Sequence, residues 1–167
     1  MGRAPAPRGP SPAPREETAD RLIAEGNRAE GAGRVQEACE RYREAVQAAP
    51  GYAKAHVNLG IGLEAAGAPE AAILSYEAAL AIDPADPFAA YNLGKLRYTR
   101  GSPAEAERLL RQALQSRPTF PEAQVVLSRV LDSQGNLGAA AAALETAMRL
   151  RPDDFGALYL YAGVLLK

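Results

Sequence analysis

The stretch Ala53–Pro84, AKAHVNLGIGLEAAGAPEAAILSYEAALAIDP, returns 34 residues later as Pro87–Pro118, PFAAYNLGKLRYTRGSPAEAERLLRQALQSRP. The same register aligns Asn58-Leu59-Gly60 with Asn92-Leu93-Gly94, Gly67 with Gly101, Pro69 with Pro103 and Pro84 with Pro118. Working outward, prolines stand at Pro50, Pro84, Pro118 and Pro152, and glycines at Gly33, Gly67, Gly101 and Gly135. Two alanine columns, Ala38/Ala72/Ala106/Ala140 and Ala45/Ala79/Ala113/Ala147, keep the same step of 34. Four independent columns in one register mark a tandem repeat, whose units bury their apolar faces only against their neighbours.

Composition says what each unit is made of. Alanine fills 36 of 167 positions, aromatics make up 6% and tryptophan is absent. Alanine is the best helix former and a poor strand former, so the fold is expected to be all-α. A chain so poor in large side chains packs through close helix contacts. The column glycines suit the positive φ that ends a helix and opens a tight turn. Pro69, Pro103, Pro87 and Pro121 fit first helical positions, where the missing N–H costs nothing. Ser102-Pro103-Ala104-Glu105 fits a capping box. Helices are therefore expected at 19–32, 35–48, 53–66, 69–82, 87–100, 103–116, 121–134, 137–150 and 155–167.

Counted from Ala19, Ala53, Pro87 and Pro121, positions seven and eight read Glu25-Gly26, Leu59-Gly60, Leu93-Gly94 and Leu127-Ser128. Position fifteen is glycine, twenty and twenty-seven are alanine, and thirty-two is proline. In these columns the chain resembles the tetratricopeptide repeat family, over residues 19–167. The resemblance implies antiparallel helix pairs stacked into a right-handed solenoid. Its repeats would be 19–52, 53–86, 87–120 and 121–154, with 155–167 the first helix of a truncated fifth. Glu25 and Arg97 depart from the usual pattern, which favours leucine at the first position and an aromatic or leucine at the second.

Residues 1–18 stand apart. Met1–Arg15 holds five prolines, three arginines and no acid, so 1–18 is expected to be a disordered tail. It lacks the apolar core of a secretory signal, and Ala6 stands where myristoylation would need Ser or Thr. No apolar run is long enough to span a bilayer, and the chain reads as soluble and cytoplasmic. A net charge of −1 supplies no electrostatic reason for nucleic-acid binding. A single cysteine, Cys39, and a single histidine, His56, leave no metal site or nucleophile–base pair in view. Both read as packing residues. Carboxylates at Glu16, Glu17, Asp153 and Asp154 read as helix-end or solvated groups. No cofactor and no catalytic activity are expected of this chain.

In the family, the first helix of each repeat lines the concave groove, usually the ligand surface. Carried over by position, that surface includes Lys54, Asn58, Phe88, Tyr91, Asn92, Lys95, Tyr98 and Arg129. Phe88, Tyr91 and Tyr98 suit apolar anchoring, or alternatively packing on a neighbouring helix. Asn58 and Asn92 share position six, where an amide suits either a peptide backbone or the helix's own surface. Lys54, Lys95 and Arg129 would favour an acidic partner. The sequences around both asparagines are similar to the repeat arm of O-linked N-acetylglucosamine transferases (SPINDLY-like). That ladder is short here, since Ala24, Val126 and Leu160 hold the equivalent places. The carboxylate clamp that grips chaperone tails is missing, because Ile23, Phe88 and Asn92 replace its cations.

Three functions fit these residues. The first is a scaffold that holds a protein or extended peptide in the groove. The second is the substrate-recognition arm of a larger O-linked N-acetylglucosamine transferase-like enzyme, with catalysis beyond Lys167. The third is an assembly module. Tyr159, Leu160, Val164 and Leu166 make the last helix apolar around most of its circumference. Continuation of the chain or self-association through that helix is therefore expected, since a solenoid end needs a polar outer face.

Overall fold

The computed structural model describes residues 14–167, and every regular element among them is an α-helix. In chain order they are α1 (Pro14–Gly31), α2 (Val35–Ala48), α3 (Ala53–Ala65), α4 (Pro69–Ile82) and α5 (Pro87–Thr99). They continue with α6 (Pro103–Ser116), α7 (Pro121–Ser133), α8 (Leu137–Leu150) and α9 (Phe155–Leu165). Each odd-numbered helix from α1 to α7 packs most extensively on the even-numbered one that follows it, each pair stacks on the next, and α9 packs on α8. Odd helices also meet each other, α3 with α1 and α5, and α5 with α7. The even helices make no comparable approach. The odd helices therefore form the tighter, inner row of a solenoid, and the even helices the wider outer row.

The turns explain the repeat. Gly33, Gly67, Gly101 and Gly135 adopt φ of 74°, 73°, 76° and 77°. In each, the residue after the glycine donates its N–H back six-to-one, as Ala68 N to Leu63 O and Ser102 N to Arg97 O, both at 2.9 Å. This left-handed ending satisfies carbonyls that the helix leaves open and reverses the chain within three residues. Proline after each even helix stops it and points the chain toward the next repeat.

Packing follows the small-residue columns. Ala38, Ala72, Ala106, Ala140, Ala45, Ala79, Ala113 and Ala147 are all fully buried. Between them sit Tyr42, Tyr76, Leu110 and Leu144, also at 0% exposure. Each such side chain contributes about 1.5–3 kcal/mol by burial.

Two local expectations are corrected. Helix α1 begins at Pro14, five residues before the expected start, so 14–18 are helical rather than disordered. Proline suits a first helical position, and Glu16 and Glu17 complement the positive end of the helix dipole. The rest of the predicted tail, 1–13, lies outside the described residues. The capping box at α6 does not form: Ser102 is the N-cap residue, but its hydroxyl caps nothing. Glu105 turns instead to Arg97, 3.3 Å away. Arg97 also reaches Glu77 at 2.5 Å, joining α5 to both α4 and α6. That gives the unusual arginine at this position a structural purpose.

Helix α9 closes the described structure with Phe155, Leu158, Tyr159, Leu165 and Leu166 all more than half exposed. Among the described residues no helix is long and apolar enough to cross a membrane.

Candidate functional site

The inner row brings most of the predicted groove residues onto one face, and their partners set what each can do. Between α3 and α5 lies a cleft of about 390 Å³, lined by Lys54, Val57, Asn58, Ile61, Asp86 and Phe88. Its walls are mainly apolar. Asp86 positions one lip: its Oδ1 accepts from Phe88 N at 2.9 Å and Ala89 N at 2.8 Å, capping α5 and orienting Phe88.

Phe88 and Tyr91 serve packing and exposure together. Both lean on Phe120, the buried residue before α7, with ring centroids 5.6 Å and 4.8 Å apart. The Arg117 guanidinium lies over Phe88 at 5.1 Å and Phe120 at 4.9 Å, which adds cation–π attraction. Phe88 nevertheless stays 45% exposed, whereas Tyr91 is half-buried. Burial first, then the charges of Glu122 and Glu64, push the Tyr91 phenol above its ordinary range. Tyr98 spans to α7, donating to the Arg129 carbonyl at 3.2 Å.

The two asparagines differ. Asn58 Nδ2 donates to Lys54 O at 2.7 Å, one turn back on its own helix. Asn92 is 8% exposed and no protein group among the described residues bonds its amide. Its amide atoms are not sealed from solvent, Arg97 Nε being the one buried side-chain polar atom without a hydrogen bond among the described residues, so the Asn92 donors and acceptor stay open to a ligand at the surface.

The cations are mostly taken. Lys54 Nζ meets Asp20 Oδ1 at 2.7 Å, and Tyr52 donates to the same oxygen at 3.0 Å. The Lys54 hydrogen bond holds the Asp20 carboxyl below its usual range and raises the ammonium in turn. Lys95 Nζ pairs with Glu64 Oε2 at 3.1 Å and lies 6.0 Å from the Tyr91 centroid. Arg129 is exposed and makes no ion pair among the described residues. His56 Nε2 donates to Pro50 O at 2.8 Å, and Cys39 is a buried free thiol.

Three features escaped the sequence. Asp86 completes the cleft, beside Val57 and Ile61 at groove positions of the second repeat. The wider concavity, about 710 Å³, lies elsewhere, between α6 and α7. Three of its polar side chains are engaged: Arg111 with Glu107, Arg108 with Gln112, and Gln112 with Pro84 O. Finally, Tyr42 and Tyr76 send their hydroxyls to Glu30 and Glu64 at 2.8 and 2.7 Å. Both tyrosines are pushed above the ordinary phenol range, by burial first and then by these carboxylates.

Comparison with known proteins accords with this architecture. The structure is similar to that of MamA, at 23% identity over 89% of this chain and 81% of that one, with a TM-score of 0.76. It is similar to Pseudomonas aeruginosa PilF at 24% identity, covering 91% and 69% of the two chains, with a TM-score of 0.83. It also resembles YrrB, described as a tetratricopeptide protein with an unusual peptide-binding site, at 20% identity over 85% and 73%, TM-score 0.71. No curated protein matches the sequence. The model of the tetratricopeptide repeat matches residues 23–87, 91–155 and 125–167, and with this coverage the chain belongs to the tetratricopeptide repeat family.

Proposed function

We propose that this chain is a non-catalytic scaffold that binds a protein or extended peptide along its inner row. The observation that carries the reading is the cleft between α3 and α5, with half-exposed Phe88 at its lip and the unpartnered Asn92 amide beyond it. Asn92, and Asn58 through its remaining oxygen, hold a peptide backbone regardless of its side chains. Phe88, Tyr91 and Tyr98 bury an apolar side chain of the partner. Of the three groove cations, Lys54 and Lys95 already neutralise Asp20 and Glu64. Attraction of an acidic group thus falls mainly to Arg129. The peptide-binding site ascribed to the structurally similar YrrB is in keeping with this use of the fold.

The test is selection of binders from a random peptide library on the full chain, followed by calorimetry. Asn92→Ala combined with Tyr91→Ala is expected to abolish measurable binding. Unchanged affinity overturns the site assignment.

The shared position of Asn58 and Asn92 favours a second reading, the recognition arm of an O-linked N-acetylglucosamine transferase-like enzyme. Native protein from the source cells running at 17.6 kDa would dismiss it. The apolar face of α9 favours a third, assembly with a second copy. Among the described residues no large apolar residue before Leu74 is exposed, which favours a contact that joins α9 to α9. Light scattering that stays monomeric at high concentration rules this out.

A further inference from the structure

Position twelve of the first, second and fourth repeats is acidic: Glu30, Glu64 and Asp132. All three belong to the inner row. Two of them hold an ammonium that arrives from the following repeat. Lys95 reaches Glu64 at 3.1 Å, and Lys167 reaches Asp132 at 2.6 Å. The third, Glu30, has no such partner. Lys95 stands at position nine of its repeat and Lys167 at position thirteen; the corresponding residues beside Glu30 are Ile61 and Ala65.

The rest of the constellation is the same in repeats one and two. Tyr76 donates to Glu64 at 2.7 Å, and Tyr42 donates to Glu30 at 2.8 Å. The Tyr42 hydroxyl stands equally close to Asn27 Oδ1, also 2.8 Å away, although it has one proton to give. Glu30 is half-buried and Asn27 exposed, so acceptor capacity is left over at the groove surface. Ile61, half-buried, supplies an apolar flank where Lys95 runs in the next repeat.

We infer that Glu30, with Asn27 and Ile61, forms a subsite for a lysine or arginine side chain of the bound partner. The partner's ammonium takes the place that Lys95 takes over Glu64, and its methylene stem lies along Ile61. The chain would thus demand a basic residue at the first-repeat end of its ligand. This rests on the groove reading above, and adds a charge to what the cleft and the asparagines select.

The experiment uses peptides selected from a random library on the full chain. Wild-type binders are expected to share a lysine or arginine at one fixed place. The best such peptide, and its Lys→Met version, are then titrated against wild type, Glu30→Gln and Ile61→Lys. Glu30→Gln keeps an acceptor for Tyr42 and should fold, which its thermal transition verifies. Ile61→Lys supplies the missing ammonium from within, as Lys95 does for Glu64. Glu30→Gln should bind the lysine peptide about fivefold more weakly and the methionine peptide as wild type does, whereas Ile61→Lys, which also alters the cleft wall, should erase the preference for the lysine peptide over the methionine peptide. Wild-type binders with no fixed basic residue, or a lysine peptide indifferent to both variants, overturn the proposal. A peptide weakened by Glu30→Gln yet indifferent to Phe88→Ala and Asn92→Ala keeps this subsite and removes the cleft reading instead.

Discussion

The first two repeats close their helix pairs with a tyrosine, and the next two with a leucine. Tyr42 and Tyr76 are fully buried beneath Gly26 and Gly60, so close that a Cβ on either glycine would lie 2.4 Å from the ring. Under Gly94 the nearest side-chain atom is Leu110 Cγ at 3.1 Å. In the fourth repeat, over Leu144, position eight holds a full side chain: Ser128, whose hydroxyl donates to Val125 O at 2.8 Å. The residue at position twenty-four therefore sets the size allowed at position eight. It also sets the chemistry of the groove. A tyrosine reaches through the pair and offers its hydroxyl to a carboxylate at position twelve, whereas a leucine ends in the core. Position twelve in the third repeat is accordingly Tyr98, turned to Arg129 O, and in the fourth Asp132, paired with Lys167.

The comparison breaks most sharply at the glycines. Gly60→Ala should destabilise by about 2–3 kcal/mol, since a ring at 0% exposure has nowhere to move. Gly94→Ala should stay within about 1 kcal/mol of wild type, because a tenths-of-an-ångström shift of Leu110 is offset by alanine's helix propensity. Adding Tyr76→Leu to Gly60→Ala recreates the third repeat's pairing and should recover stability relative to the sum of the single changes. Urea unfolding of the four proteins decides it; strict additivity would sever position eight from position twenty-four.

A smaller effect separates the halves by pH. Both tyrosines have folded-state pKa values above the unfolded phenol value of about 10. Below pH 10 that difference costs nothing; above it the unfolded chain loses protons that the folded chain retains, so stability falls as pH rises. The slope approaches about 1.4 kcal/mol per pH unit for each tyrosine. Tyr42→Phe with Tyr76→Phe should cost about 1–3 kcal/mol at neutral pH through the lost hydrogen bonds. The double variant should also flatten the decline between pH 10 and 11.5. An alkaline limb as steep as wild type's would assign the titration to other groups.

The smallest contrast concerns helix starts. Asp86→Ala should cost about 1 kcal/mol by removing two hydrogen bonds to the α5 N-terminus. Ser102→Ala should change stability by no more than about 0.3 kcal/mol, since its hydroxyl caps nothing. Equal losses would mean that the serine caps α6 in solution.

Much of this was open to a reading of residues alone. Gly67 and Gly101 needed positive φ, Pro69 and Pro103 opened helices, and the alanine columns were bound to be buried, because each follows from one residue's local chemistry repeated at 34. The start of α1 is not legible in composition for the converse reason: a proline-rich stretch hides that Pro14 is a good first helical residue, with Glu16 and Glu17 in the first turn. The groove was legible only as a face. Position assigned Phe88, Asn92 and Lys95 to the inner row, yet nothing in the spacing said that Lys95 would be spent on Glu64 or that Phe88 would rest on Phe120.

Local and periodic properties, namely helix type, turn type, repeat length and which columns are small, were determined by the order of amino acids, since backbone preference and burial act within one repeat. Partnership was decided by tertiary structure. Whether a lysine is free or paired depends on which side chain a neighbouring repeat places beside it, 34 or 35 residues away for Lys54 and Lys167. Glu30 and Glu64 share a position, a tyrosine and a face; only the neighbouring helix, with Ile61 in one case and Lys95 in the other, makes them different.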